Sequence, residues 1–399
     1  MKRVLILIAF ILPFPVCYSQ IKIKNKKYPS LLWEITGNGL QKPSYLFGTM
    51  HVSSKIVFNL ADSFYMGIKN ANVVALETNP ESWQEDMSKY DLSTPVYGGN
   101  FRYGNYDGLP NDYLSIHTLE FGKYEKRIEQ ALYSNPSVIN NLLYRTYGEY
   151  SAEFEENTYL DMYIYQVGKK WGKRVAGVEN YGESMKLMME AYKDAAKDKN
   201  RKEKSYDNEN NFSGEKLQEA YRAGNLDLLD SLNKLQSFSN AFDEKFLYRR
   251  NDIQANSIDS ILKSGSSLFV GVGAAHLPGT RGVIEILRRK GYKLRAVTME
   301  KKNDGKQKET VEKIHVPVVF TSYTSEDNFF KVDVPGKLYR SDEEFGMFDQ
   351  QQYADMANGS YYIVTRLRTN NVLWGHTTEQ IYKKIDSVLY ENIPGKILN

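Results

Sequence analysis

Apolar positions along the chain come in two kinds, short continuous runs and longer stretches with helical spacing, and the two kinds alternate. Leu268, Phe269, Val270 and Val272 form a run suited to a fully buried strand, which passes through Gly273 and two alanines to His276. Residues 280–290 place Val283, Ile284 and Leu287 on one helical face with Gly291 as a stop, and residues 293–297 return to a strand pattern. Strand, small-residue turn, helix and strand make a βαβ unit. In such sheets ligands sit outside the carboxyl ends of the strands, where His276 falls.

The same pattern recurs upstream. The runs LLWEI and SYLFG, separated by GNGLQKP, predict a hairpin or strand-turn-strand entry whose second strand ends in Gly48, Thr49, Met50 and His51. Phe64, Ile68 and Ala71 give helical spacing over 62–71, and the run VVAL then ends in Glu77. Phe154, Leu160, Ile164, Val167 and Trp171 predict a helix over 153–171 with Asp161 one step round from its apolar face; a strand over 174–178 follows and hands over Glu179. Helices are expected over 185–196, 214–235 and 238–263, the last carrying Arg249, Arg250 and Asn251. Residues 97–113, rich in Tyr, Gly, Asn and Asp, read as a loop, either a lid or an insertion over the site, and a helical segment broken at Pro136 runs from there to Leu143.

This order predicts an α/β fold with a mostly parallel central sheet flanked by helices over 20–300. Residues 301–313 read as a charged linker. Beyond it, strand-like runs at VPVVF, FKVDV and SYYIVTRL and a helix over 378–390 predict a small α+β domain over 314–399 that stops soon after its helix, as an incomplete domain would.

At the other end, Lys2 and Arg3, an apolar stretch from Val4 to Phe14, and Cys17 and Ser19 before Gln20 have the form of a secretory signal over 1–19. The apolar stretch is shorter than the roughly 20 residues a spanning helix needs, and no later run reaches that length. The expected mature chain is thus exported, periplasmic or secreted, without a membrane span. Loss of Lys2 and Arg3 takes the formal charge from +3 to +1, which excludes a bulk electrostatic attraction to nucleic acid. The single cysteine leaves with the signal, so no disulfide supports the fold. The 30 tyrosines and 18 phenylalanines suit either an aromatic-lined groove or packing at helix edges.

Four strands thus deliver His51, Glu77, Glu179 and His276 to their carboxyl ends. Two imidazoles with one or two carboxylates suit zinc, manganese or cobalt, and a divalent ion with an open position would acidify water and polarise a carbonyl. Glu77 or Glu179 could serve as base and Arg250 as an oxyanion partner. Each residue also has a structural reading, as a hydrogen-bonded turn histidine or a capping acid. What favours a shared site is that two of only five histidines occupy the same Gly-x-x-His context, far apart in the chain. His117, His315 and His376 lack that context. GVGAAH nearly matches a dinucleotide fingerprint, but His276 stands at its last glycine and no acid ends the next strand at the required spacing.

LWEITG with YLFGTMHV, ALETNP, YLDMYIYQVGKKWGKRVAGVEN, YRAGNLDLL, RRND and VGVGAAHLPGTRGVIEILRRKGYKL together resemble the TraB/PrgY/GumN family over residues 31–297. That family is related to the Tiki proteases and, more distantly, to the erythromycin esterase and ChaN-like proteins. The resemblance implies a metal-dependent peptidase in which His51 and His276 of the two Gly-x-x-His motifs and Glu77 hold the metal. Arg250 and Asn251 match its Arg-Asn pair, and Asp161 and Glu179 its helix and second-acid positions; here Asn180 follows Glu179 where the family pattern has threonine. The PrgY branch lowers the activity of a peptide pheromone by capture or by cleavage. Two functions therefore stand as expectations: an exported metal-dependent hydrolase acting on a peptide or protein substrate, and a non-catalytic peptide-sequestering protein.

Overall fold

The computed structural model of the chain describes residues 26–50, 58, 60–88, 160–198, 209–237, 239–299, 306–340, 348–367 and 375–383. The expected signal, His51, the 97–113 loop, the segment to Leu143 and His117 lie outside these residues, as does the charged stretch 199–208.

Six strands form the central sheet: β1 (Leu32–Gly37), β2 (Ser44–Thr49), β3 (Val73–Leu76), β4 (Arg174–Gly177), β5 (Leu268–Gly273) and β6 (Tyr292–Val297), in the order β4-β3-β5-β2-β1-β6. The pairs β4-β3, β3-β5 and β5-β2 are parallel, whereas β1 is antiparallel to both β2 and β6. Five strands therefore point one way and β1 the other. The expected entry hairpin is β1-β2, turned through Gly37, Asn38 and Gly39, all with positive φ. The βαβ unit is present, but β6 is not beside β5: two strands separate them, and β6 closes the far edge. Its alternation of buried Tyr292 and Leu294 with exposed Lys293 and Arg295 is that of an edge strand guarded by charge. β5 is buried at every position because helices cover both faces.

Those faces can be read from the register. Phe47 of β2 meets Phe64 of helix α1 (Asp62–Asn70) with ring centroids 5.0 Å apart. Trp33 registers with Leu46, the neighbour of Phe47, and so projects from the opposite face, where Arg288 of a second helix lies over its ring. The longer helices that follow are α2 (Leu160–Lys170), α3 (Tyr181–Lys197), α4 (Glu209–Arg222), α5 (Leu226–Gln236), α6 (Arg249–Lys263), α7 (Val283–Arg289, bearing Arg288) and α8 (Lys306–Glu312), with short helical turns at Trp83–Ser88 and Asn240–Asp243. The stretch expected as one helix over 214–235 is broken at Gly224, whose φ of 62° no continuing helix adopts. Residues 153–159 of the expected 153–171 helix lie outside the description, and a π-helical turn over Glu244–Tyr248 precedes α6.

Within the stretch expected as a linker, α8 buries Val311 fully in the main core. Beyond it lie an antiparallel hairpin of Thr321–Thr324 with Lys331–Val334 and a three-stranded sheet of Tyr339–Arg340, Phe348–Asp355 and Ser360–Leu367. VPVVF is not a strand; pairing begins one residue later, at Thr321. Ala354, Met356 and Ala357 join the main core, and Gln166 of α2 donates to the Met356 carbonyl at 2.9 Å. Of the expected 378–390 helix, residues 378–383 are helical and the rest lie outside the description.

Asp259 ties α6 to the far edge of the sheet. Its carboxylate accepts from Tyr292 Oη (2.8 Å), Lys263 Nζ (3.0 Å) and Lys290 Nζ (3.2 Å), and the residue is buried. Burial alone would raise its pKa, but these donors outweigh burial and hold it below the ordinary carboxylate value. A depressed folded-state pKa adds stability above the unfolded value of about 4 and loses it as pH falls through the folded value. Asp259→Asn is expected to lower stability by about 1–2 kcal/mol at pH 7. In urea unfolding at stepped pH the gap between the two proteins should close below about pH 4; a gap unchanged at pH 2 would show that charge is not its source.

Candidate metal centre at the carboxyl edge of the sheet

β3, β4 and β5 end side by side, and each is followed by a group that can bind a cation. Glu77 directly follows β3, Glu179 lies two residues beyond β4, and His276 closes a short 3₁₀ turn after β5. One ligand atom from each of these three residues lies within 4.8 Å of the others. The approach depends on Gly177: a Cβ there would stand 2.7 Å from the Asn79 backbone nitrogen and 3.1 Å from the Glu179 carbonyl oxygen. Without it the turns carrying Glu77 and Glu179 could not lie against each other, joined by the Glu179 N–H to Glu77 carbonyl bond of 2.6 Å.

α6 supplies the opposing wall. Arg250, Asn251, Gln254, Ala255, Ile258, Asp259 and Leu262 form one buried stripe, whose first turns carry Arg250, Asn251 and Gln254. Arg250 bridges the two acids: Nε donates to Glu179 Oε2 at 2.9 Å and Nη2 to Glu77 Oε2 at 2.7 Å. Burial alone would lower its pKa, but the charges of Glu77 and Glu179 prevail and raise it, so the guanidinium stays ionised. Two carboxylates around one guanidinium leave an excess of one negative charge, which suits an added cation.

The acids play different parts. Glu179 is 8% exposed, and its oxygens accept from Arg250 Nε, Ser184 Oγ and Gln254 Nε2. It is filled with donors and acts as the anchor for Arg250. Glu77 Oε1 accepts the Gly273 N–H at 2.7 Å and lies 3.5 Å from His276 Nε2. Two donors bonded to one tetrahedral ion at about 2.0–2.1 Å stand about 3.3–3.5 Å apart, so this pair has the spacing of metal ligands.

His276 is presented in one tautomer. Asn251 Nδ2 donates to the Arg281 carbonyl at 2.8 Å, which orients the amide so that Oδ1 faces His276 Nδ1 at 2.6 Å. An oxygen can only accept, so Nδ1 carries the proton and Nε2 presents its lone pair toward Glu77 in the neutral ring. An amide oxygen holding the far nitrogen is the usual support of a metal-ligating histidine. Arg281 is itself fixed by paired bonds to Glu244 and by its guanidinium 4.4 Å over the Tyr248 ring.

Among the described residues, Asp161 is not one of the three that could share an ion. It stands in the first turn of α2 and accepts from Thr49 Oγ1 at 2.6 Å, holding the end of β2 beside β5, where Thr49 registers with Gly273. On the same strand end, Tyr221 Oη donates to the Gly48 carbonyl at 2.8 Å. Burial, aided by the Asp161 charge, pushes the Tyr221 pKa up, so the hydroxyl keeps its proton for that bond. His51, two residues past β2, lies outside the described residues. Asn180 is the cap of α3, with Oδ1 accepting the Glu183 N–H at 3.1 Å.

Three site residues escaped the sequence reading. Gln254 was legible in principle, being four residues after Arg250 on the same helical face. Ser184 and Gly177 carry no sequence signal beyond their nearness to Glu179.

The fold and site together define a mixed α/β protein with a buried acid-histidine-arginine cluster at the carboxyl edge of its sheet. The profile of the TraB/PrgY/gumN family matches residues 31–296, two thirds of the chain, and the protein belongs to that family. No curated protein and no solved structure matches the chain.

Two outcomes follow from this geometry. Nitrogen-detected NMR of labelled protein at pH 8 should show neutral His276 protonated at Nδ1, and Asn251→Ala should shift it toward the Nε2-protonated form; the same tautomer in both would remove Asn251 from its assigned role. Glu179→Ala removes one of the two acids around buried Arg250 and the acceptor of Ser184 and Gln254, and should cost about 3–5 kcal/mol in urea unfolding. A loss below about 1 kcal/mol, as at an exposed pair, would show that Glu179 is not the anchor.

Proposed function

We propose that this protein is a metal-dependent hydrolase that cleaves peptides, exported by the signal-like residues 1–19. The observation that carries the reading is the pair Glu77 Oε1 and His276 Nε2, 3.5 Å apart, with the imidazole lone pair directed at the gap by Asn251. These two residues would hold the ion, and His51 is proposed to join them from the end of β2. Manganese, cobalt and zinc all accept such a mixed nitrogen and oxygen set. Among the described residues no helix is long and apolar enough to cross a membrane.

A bound ion supplies Lewis acidity, polarising a carbonyl and lowering the pKa of water. The chain's own residues do the rest. Asn251 keeps the His276 proton on Nδ1, and the Gly273 N–H and Arg250 hold Glu77 from two sides. Glu179 is committed to Ser184, Gln254 and Arg250, so the acid that would meet the ion is Glu77. Arg250 has one more nitrogen, Nη1, in a long contact of 3.4 Å with the Phe246 carbonyl. It is the cation placed to meet negative charge developing on a substrate oxygen.

The test is metal content together with cleavage. Purified protein loaded with manganese, cobalt or zinc and desalted should carry near-stoichiometric metal by plasma mass spectrometry and cut members of a quenched peptide library. Glu77→Gln and His276→Ala should each lose the metal and at least ~100-fold in kcat/KM, the scale on which single metal ligands and general bases act. Full activity in either variant would overturn the assignment. Saturable peptide binding that survives chelation, with every peptide recovered intact, would replace hydrolysis by sequestration.

A further inference from the structure

A second feature occupies the same edge of the sheet and is not used by the metal centre. A cavity of about 370 Å³ opens where β1 begins and β6 ends, between Leu60, which leads into α1, and the turn that ends α4. Its apolar groups are Leu60, Ala296 and Met299, with Leu31, Phe47 and the ring of Tyr221 buried behind them. Polar groups stand at the mouth, where Thr298 is exposed and Arg222 is already paired with Glu219 through two bonds of 2.8 and 2.7 Å. The volume lies at the small end of the roughly 300–1,000 Å³ of ligand pockets. It suits one aromatic or long aliphatic side chain with its local backbone.

The cavity walls are bonded to the strand that ends in the first Gly-x-x-His motif. The Gly48 N–H donates to the Leu31 carbonyl at 2.9 Å, and the Gly48 carbonyl accepts from Tyr221 Oη at 2.8 Å. Thr49, the next residue, registers with Gly273, whose N–H is bonded to Glu77. Cavity, β2 end and acid-histidine pair thus lie in one row along the carboxyl edge. The row crosses from the gap between β3 and β5 over β2 to β1, about two and a half strand spacings or about 12 Å. An extended peptide advances about 3.3 Å per residue, so about three to four residues cover that span.

We propose that this cavity is a specificity subsite that takes an apolar side chain (Leu, Met or Phe) about three to four residues from the bond acted on at Glu77 and His276. The peptide as substrate rests on the hydrolase reading above; the apolar chemistry of the pocket does not.

Two rim residues allow the cavity to be filled without disturbing the core. Ala223 and Thr298 both line it and are exposed, so Ala223→Trp and Thr298→Trp place an indole over the opening. The first arm uses metal-free full-length protein and ligand-observed NMR with N-acetyl-phenylalanine amide, N-acetyl-leucine amide and N-acetyl-aspartate amide. The two apolar amides should bind saturably, the aspartate amide should not, and each tryptophan variant should weaken binding at least tenfold with an unchanged Tm. The second arm uses the manganese-loaded protein and a quenched peptide library. Cleavage should favour Leu, Met or Phe at the third or fourth residue from the cut, and Ala223→Trp should raise KM for those peptides while peptides with glycine there keep their rate. Absence of apolar amide binding, or binding undiminished in both variants, would overturn the subsite. Apolar binding blocked by both variants, in a protein that cuts nothing, would defeat the hydrolase reading and leave the pocket standing.

Discussion

One buried guanidinium holds the working end of this protein together. Arg250 reaches from α6 to the ends of two strands and joins Glu179 to Glu77, acids 102 positions apart in the chain. Arg250 could not stay buried as a cation without them. The surrounding contacts share the load. Ser184 and Gln254 fill the rest of Glu179, and the Gly273 N–H takes Glu77. Because every partner is on a strand end or the first turns of a helix, the cluster is as rigid as the sheet edge that carries it.

That rigidity sets up an asymmetry between two otherwise equivalent carboxylates. The anchor is saturated by donors, and the other acid keeps an oxygen facing an imidazole whose proton is held on the far side by Asn251. A pair of this kind, with a further carboxylate beside it, could hold a cation. On the same edge, the end of β2 is fixed by Asp161 through Thr49 and by Tyr221 through Gly48. Gly48 itself fits because a Cβ there would already press at 3.2 Å on Ala274, in the turn that brings in His276. The two Gly-x-x-His segments are thus held against each other by backbone contact.

Much of this was legible in the residues. Runs such as VVAL and LFVGV are continuous because their strands are covered on both faces, and that continuity located β3 and β5 and the groups at their ends. Glu77, Glu179, His276, Arg250 and Asn251 were all singled out by position, and the fold brings them together. Asp161 was expected in the cluster and lies beside it, because helical spacing fixes the face of a side chain and not the strand end that the face meets. The break at Gly224 was also missed: glycine is tolerated inside a helix, and only its positive φ in the turn shows that it ends one.

By itself the sequence determined the kinds of element, their order and which of them end in chemistry, since periodicity and turn residues are local properties of the chain. It also determined the family, because the paired Gly-x-x-His motifs and the Arg-Asn pair are spaced by that element order. Only the tertiary structure decided the strand order, with β6 placed beyond β1 and not beside β5. Only the tertiary structure separated the anchoring acid, Glu179, from the one that faces His276, identified Gln254 and Gly177 as members of the site, and set a cavity farther along the same edge. The physical reason is the same in each case. Which donor reaches which oxygen, and how closely two backbones approach, depends on contacts between residues tens to hundreds of positions apart, and those exist only once the sheet has closed.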